Sequence, residues 1–126
     1  MSKKILVVDD EPDILFTVSQ MLEMSGYEVI RANNGKECIE LIKNNHEKPD
    51  LVLLDIMMPE VSGWDVAAKL KETSDWKEIP IVFLTAKGDV MSVGMGKLAS
   101  EDYIVKPFNI TDLKERIEKI LKNVKS

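Results

Sequence analysis

Four short runs of the chain are apolar almost without interruption: Lys4–Val8, Leu51–Leu54, Ile81–Leu84 and Tyr103–Val105. They are rich in leucine or β-branched residues and do not alternate with polar positions, as expected of parallel strands with helices over both sheet faces. A fifth run, Tyr27–Ala32, is more polar and fits a sheet edge. Between these runs the apolar period lengthens to that of a helix. Ile14, Leu15, Val18, Met21 and Leu22 form one stripe behind Pro12, which suits a first helical turn, and Gly26 supplies a stop. Asn33-Asn34-Gly35 offers an N-cap for a second helix carrying Cys38, Leu41 and Ile42. A third helix is expected from near Ser62 to about Thr73. A fourth, from about Asp89 to Ala99, contains Gly94 and Gly96. Each glycine costs ~1 kcal/mol relative to alanine, so this helix is expected to be the least rigid. The last opens at an Asn109 or Thr111 cap and carries the clearest stripe: Leu113, Ile117, Ile120, Leu121 and Val124. Strict alternation of strand and helix predicts a doubly wound α/β fold with a five-stranded parallel sheet and helices on both faces. No linker, repeat or low-complexity stretch interrupts the pattern, so residues 1–126 are expected to form one domain.

Composition narrows the function classes. Against 17 basic residues stand 22 acidic ones, a net charge of −5, with 44% of positions hydrophobic. That is globular composition, and it argues against nucleic acid as a partner, which calls for a basic stripe. No apolar run approaches the ~18 residues of a membrane span, and Lys3-Lys4 precede only a short one, so neither membrane nor secretory signal is expected. The single cysteine, Cys38, suits a reducing cytoplasm and reads as a small core residue. His46 lies in a polar stretch and reads as surface. Trp64 and Trp76 read as packing residues, with Trp76 the candidate for exposure. The seven methionines read mainly as filler, although Met91 and Met95 are candidates for an adaptable partner face.

In open α/β sheets, ligands bind beyond the carboxyl ends of the strands. Asp9, Asp10 and Glu11 follow the first run, Asp55 the middle one, Thr85 the fourth and Lys106 the fifth. Each alone reads as a cap or a solvated turn. Together they bring carboxylates, a hydroxyl and a lysine to one edge of one sheet. Carboxylates packed this closely raise one another's pKa unless a cation joins them. Oxygen ligands of this hardness suit Mg²⁺, with Mn²⁺ as a substitute. Lys106 and Thr85 are groups that grip phosphoryl oxygens, and an aspartate beside such a metal can become an aspartyl phosphate.

These residues fall within four ordered motifs: V-V-D-D-E-P (Val7–Pro12), L-L-D-I-M-M-P (Leu53–Pro59) with Gly63 four residues on, L-T-A (Leu84–Ala86), and D-Y-I-V-K-P-F (Asp102–Phe108). In this the chain resembles the receiver domain of response regulators in two-component signalling, of the stand-alone chemotaxis-regulator type, from about Lys4 to Leu121. The resemblance implies a flavodoxin-like strand order of 2-1-3-4-5. It implies that Asp55 accepts a phosphoryl group from the phosphohistidine of a sensor histidine kinase. Asp10 and Asp55 would ligate Mg²⁺ directly, with the backbone carbonyl of Met57 as a third ligand and Asp9 acting through water. Lys106 would contact the phosphoryl group, Ala86 would offer its N–H, and Thr85 and Tyr103 would form the switch pair. Met57 and Lys87 stand where the family tunes dephosphorylation, and Met57 has no polar group to orient an attacking water. The one departure, Ala99-Ser100 where a Gly-Ala is usual, touches no proposed ligand.

The expectation is a phosphoacceptor switch, not an enzyme with a substrate, cytoplasmic and monomeric, with a phosphorylation-linked dimer as the other state. Its output would be protein contact through the fourth helix, fifth strand and last helix. A chemotaxis regulator and a phosphorelay intermediate serving a histidine phosphotransfer protein both fit. From another class, an Mg²⁺-dependent phosphohydrolase using an aspartyl phosphate would need a second acid two residues after Asp9. Glu11 stands there, but no cap domain follows.

Overall fold

A computed structural model describes residues 3–44, 48–86, 102–106 and 108–123. The strands are β1 (Lys4–Val8), β2 (Glu28–Ala32), β3 (Leu51–Asp55), β4 (Ile81–Ala86) and β5 (Asp102–Lys106). The helices are α1 (Pro12–Met24), α2 (Gly35–Lys43), α3 (Gly63–Glu72) and α4 (Ile110–Asn123). The helix expected at about Asp89 to Ala99 lies outside the described residues, as do His46, Lys87, Met91 and Met95. All strand pairs are parallel, in the order β2-β1-β3-β4-β5. The weak run is indeed an edge: in β2 only Ala32 is fully buried.

Strand periodicity divides the core in two. Ile5 and Val7 of β1, Leu51 and Leu53 of β3, and Val82 and Leu84 of β4 face α1 and α4, where Leu15, Val18, Leu22, Leu113 and Ile117 cover them. The alternate residues Leu6, Val8, Val52, Leu54, Ile81 and Phe83 face α2 and α3 through Cys38, Ile42, Val66, Ala67 and Leu70. Burial on both faces explains why these strands read as continuous apolar runs. Trp76 belongs to this second layer at 2% exposure, not to the surface. The turn Thr73–Ile79, closed by the N–H groups of Trp76, Lys77 and Ile79, folds its indole inward. Trp64 is half-buried, edge-on to Phe83 with ring centroids 4.8 Å apart.

The helix ends follow local chemistry. Gly26, at φ 97°, closes α1: its N–H donates to Glu23 O and that of Tyr27 to Leu22 O. Asn34 Oδ1 caps α2 through the Glu37 N–H at 2.8 Å. Ser62 and Asp65 cap α3 reciprocally. Asn109, rather than Thr111, caps α4, accepting from the Thr111 and Asp112 N–H groups at 2.7 and 3.2 Å.

The connection from β3 to α3 is pinned from two sides. Gly63 donates its N–H to Ile56 O at 2.8 Å, which brings the start of α3 back against the end of β3. A methyl group at Gly63 would overlap the Asp55 carbonyl oxygen and approach Ile56 Cα to 2.7 Å. At Gly35 it would meet Val61 O at 2.6 Å, so the start of α2 presses on the same loop. Within the loop Glu60 adopts φ 67°, unusual for a residue with a side chain. Because the atoms facing Gly63 are backbone, Gly63→Ala is expected to destabilise the fold by about 1–3 kcal/mol, measured by urea unfolding. A change within about 0.5 kcal/mol would show that the loop yields.

Candidate functional site

The strand alternation that sorts the core also aims the site. Asp9 continues the series Ile5, Val7; Asp55 continues Leu51, Leu53; Lys106 follows Ile104 by two, and those apolar residues all face α1 and α4. Register then sets the neighbours. Val8 pairs with Leu54, so the residues that follow, Asp9 and Asp55, lie side by side at the ends of adjacent strands. Lys106 ends β5, two strands from β3, and only a long flexible stem spans such a gap. The strands run one or two residues beyond the apolar runs because Asp55, Thr85, Ala86 and Lys106 still pair in the ladder.

The Lys106 ammonium is the meeting point. Its Nζ lies 3.0 Å from Asp9 Oδ2, 3.0 Å from Glu11 Oε1 and 3.6 Å from Asp55 Oδ1. Asp9 is fully buried and Asp55 is 4% exposed. Asp9 Oδ1 accepts the Glu11 N–H at 2.9 Å. Its Oδ2 meets Lys106 at ion-pair distance but without hydrogen-bond direction, and it has no hydrogen-bond partner among the described residues. Ligand oxygens of Asp9, Glu11 and Asp55 all fall within 4.8 Å of one another. Three carboxylates against one ammonium leave a surplus of negative charge, and a buried carboxylate oxygen still lacks a directed partner. A small divalent cation fits that deficit.

Asp55 shows the strain of this crowding. Burial first, then the charge of Asp9, push its carboxyl up to about 8, against the opposing pull of Lys106; the hydrogen bond and charge of Asp10 push the same way. Lys106 itself is raised: burial works to lower it, but the hydrogen bond to Glu11, the close Asp9 carboxylate and the charge of Asp55 prevail.

The sequence-derived candidates divide accordingly. Asp9, Asp55 and Lys106 come together. Asp10 is half-buried and helps to raise the Asp55 pKa, yet the third acid within the 4.8 Å group is Glu11. Met57 lies two residues past Asp55 with its side chain 61% exposed. Thr85 and Ala86 end β4 opposite Val105 and Lys106, and Tyr103 sits in β5 opposite Phe83. Glu11 is no part of the ligand set that the family resemblance implies. Its signal in the sequence is adjacency, as the third acid of a run that turns into α1.

The raised Asp55 pKa has a consequence for stability. The ordinary carboxyl value is 3.8, so the folded protein holds a proton that the unfolded chain gives up. This contribution is complete below about pH 4 and is lost as pH rises to about 8. With chelator present, Asp55→Asn is therefore expected to match the wild type near pH 4 and to exceed it by several kcal/mol above pH 8. Millimolar Mg²⁺ should narrow the gap by stabilising the wild type more than the variant. Thermal unfolding across pH checks both; parallel profiles for the two proteins would contradict the charge account.

Comparison with known proteins agrees with this geometry. The family model described as the response regulator receiver domain matches residues 5–118. The chain is 41% identical over 123 residues to the alkaline phosphatase synthesis transcriptional regulatory protein PhoP of Bacillus subtilis, covering 97% of this chain and 50% of that protein. It is 40% identical over 123 residues to the phosphate regulon transcriptional regulatory protein PhoB of Pseudomonas aeruginosa, covering 97% and 53%. The chain thus spans about half the length of the curated relatives it matches. Among solved structures, the response regulator TrrA of Thermotoga maritima, in complex with Mg²⁺ and a beryllium fluoride, superposes with a TM-score of 0.81 at 39% identity over 94% of this chain and 98% of that one. The chemotaxis protein CheY4 of Vibrio cholerae superposes with a TM-score of 0.85 at 29% identity over 95% and 99%. Sequence, fold and the acid–lysine cluster converge: the chain belongs to the response regulator receiver domain family of two-component signalling.

Proposed function

We propose that this receiver is switched by phosphorylation of Asp55. The observation that carries the reading is a buried carboxylate at the end of β3, flanked by Asp9 and facing Lys106. An Asp55 oxygen attacks the phosphorus of a phosphohistidine on a sensor kinase. The new O–P bond makes an acyl phosphate, and the N–P bond breaks with its electrons returning to the imidazole. Phosphoryl transfer asks mainly for positioning and charge neutralisation. Lys106 supplies one positive charge to the incoming oxygens. Asp9, Asp10, Asp55 and the Met57 carbonyl are the groups proposed to hold Mg²⁺, Asp9 through water. When bound, the metal neutralises the surplus carboxylate charge and steadies the transferring oxygens. A cation beside Asp55 also favours its ionised, nucleophilic form.

The added phosphoryl carries roughly −1.5 to −2 charge. Thr85 and the Ala86 N–H are proposed to receive it and Tyr103 to follow, so that β5, α4 and the segment between β4 and β5 change as a binding face. Met57 offers no polar group to orient water, and the acyl phosphate is proposed to be lost slowly, with Lys87 as a second tuning position. Transfer onward to a histidine phosphotransfer protein remains within the same chemistry. A second output is favoured by the curated relatives, both described as transcriptional regulatory proteins: control of a DNA-binding segment. The acidic charge that argues against nucleic acid speaks for these residues only. The proposed setting is the cytoplasm, with the unphosphorylated form monomeric.

Incubation with acetyl phosphate and Mg²⁺ is expected to label the wild type to about one phosphoryl group per chain. Asp55→Asn should take none, and chelation should abolish the label. Label persisting in Asp55→Asn would remove the acceptor assignment, while repeated turnover of small phosphoesters would favour a hydrolase. Amide exchange with and without beryllofluoride should show altered protection in β5 and α4; unchanged protection there would refute the proposed face.

A further inference from the structure

Glu11 stands at the N-cap of α1, from which a side-chain oxygen ordinarily accepts a hydrogen bond from the first free N–H groups of the helix. Its carboxylate makes no such bond. Instead Oε1 accepts a hydrogen bond from Lys106 Nζ at 3.0 Å, across 95 positions of sequence. The ammonium is thereby shared among three acids, and Asp55 holds it least closely: 3.6 Å, against 3.0 Å to both Asp9 and Glu11. The two closer partners differ in freedom. Asp9 is fully buried, with Oδ1 fixed by the Glu11 N–H. The Glu11 side chain is 60% exposed, so its carboxylate can turn into water at little cost. Of the two, only Glu11 is placed to exchange.

We infer that Glu11 is a positioning residue, a counter-ion that parks the Lys106 ammonium toward α1 and releases it when a phosphoryl group arrives at Asp55. This inference rests on the phosphoacceptor reading. Lys106 has three N–H donors on a flexible stem, so it can re-aim from one oxygen to another without moving β5. The hold is weak by design of the site: an ion pair with one exposed partner is worth about two- to fivefold in an equilibrium and falls with salt. Parking keeps the ammonium inside the site while no phosphoryl is present, and sets a small barrier to its use.

The test compares wild type, Glu11→Gln and Glu11→Asp. Glu11→Gln removes the charge; Glu11→Asp keeps it but withdraws the carboxylate by about one carbon–carbon bond. Two quantities are read: the initial rate of Asp55 labelling by acetyl phosphate at saturating Mg²⁺, and the Lys106 side-chain ¹⁵N resonance in metal-free protein. Both variants are expected to shift that resonance and to label about two- to fivefold faster at low ionic strength, with the gain shrinking as salt rises. Acceleration in Glu11→Gln alone would mean that Glu11 merely repels the phosphodonor, which overturns parking. Equal or slower labelling in both variants, or an unmoved Lys106 resonance, overturns it as well. A wild type that takes no label fails the phosphoacceptor reading itself; a labelled wild type with unaltered variants fails only the role of Glu11.

Discussion

Negative charge buried at the ends of two neighbouring strands is tolerable only beside a cation, because water no longer screens it. Asp9 and Asp55 are in that position: the parallel register of β1 on β3 leaves them adjacent, fully buried and 4% exposed. Much else follows from the need to neutralise them. A lysine must arrive from another strand, and β5 brings Lys106 within 3.0 Å of Asp9. The acid that opens α1 turns to that lysine instead of capping its helix. Asp55 still ends with a pKa of about 8, because its burial and the neighbouring Asp9 charge outweigh the pull of Lys106. The site is short of positive charge, and that shortage is what the proposed metal and phosphorylation chemistry would draw on.

Rigidity beside Asp55 is the complementary constraint. Gly63 and Gly35 let two helix starts press on the loop that leaves Asp55, and a bare backbone is required at both contacts. The loop accepts an unfavourable φ at Glu60 in return. The charge cluster therefore faces a fixed backbone on the β3 side. Adjustment falls to side chains such as Glu11 and Lys106, whose heads are free to re-aim.

Much of this was legible in the chain. Continuous apolar runs gave the buried strands because both sheet faces are covered, and Ser62, Asn34 and Gly26 marked helix ends through local hydrogen bonds that need no tertiary context. The motifs placed Asp9, Asp55 and Lys106 together because strand exits share one edge. What escaped was set by long-range contact. The burial of Trp76 depends on a turn that folds back beneath the sheet, and nothing in its polar neighbourhood announces this. The strands also outrun their apolar runs by one or two residues, since a polar residue can remain in the ladder. The precedence of Glu11 over Asp10 in the acid group depends on where a lysine 95 positions away directs its ammonium.

Lys106 is carried by β5, which pairs with β4 and forms one margin of the sheet among the described residues. The cation is thus delivered by a strand held along one side only, while its carboxylates sit on the interior strands β1 and β3. Seating of that marginal strand and occupancy of the acid pocket are consequently linked functions. By thermodynamic reciprocity, whatever grips the outer side of β5 and favours one placement of the ammonium must alter the free energy of loading the pocket by the same amount that loading alters the grip. A binding partner at that margin would not simply read the switch; it would help to set it.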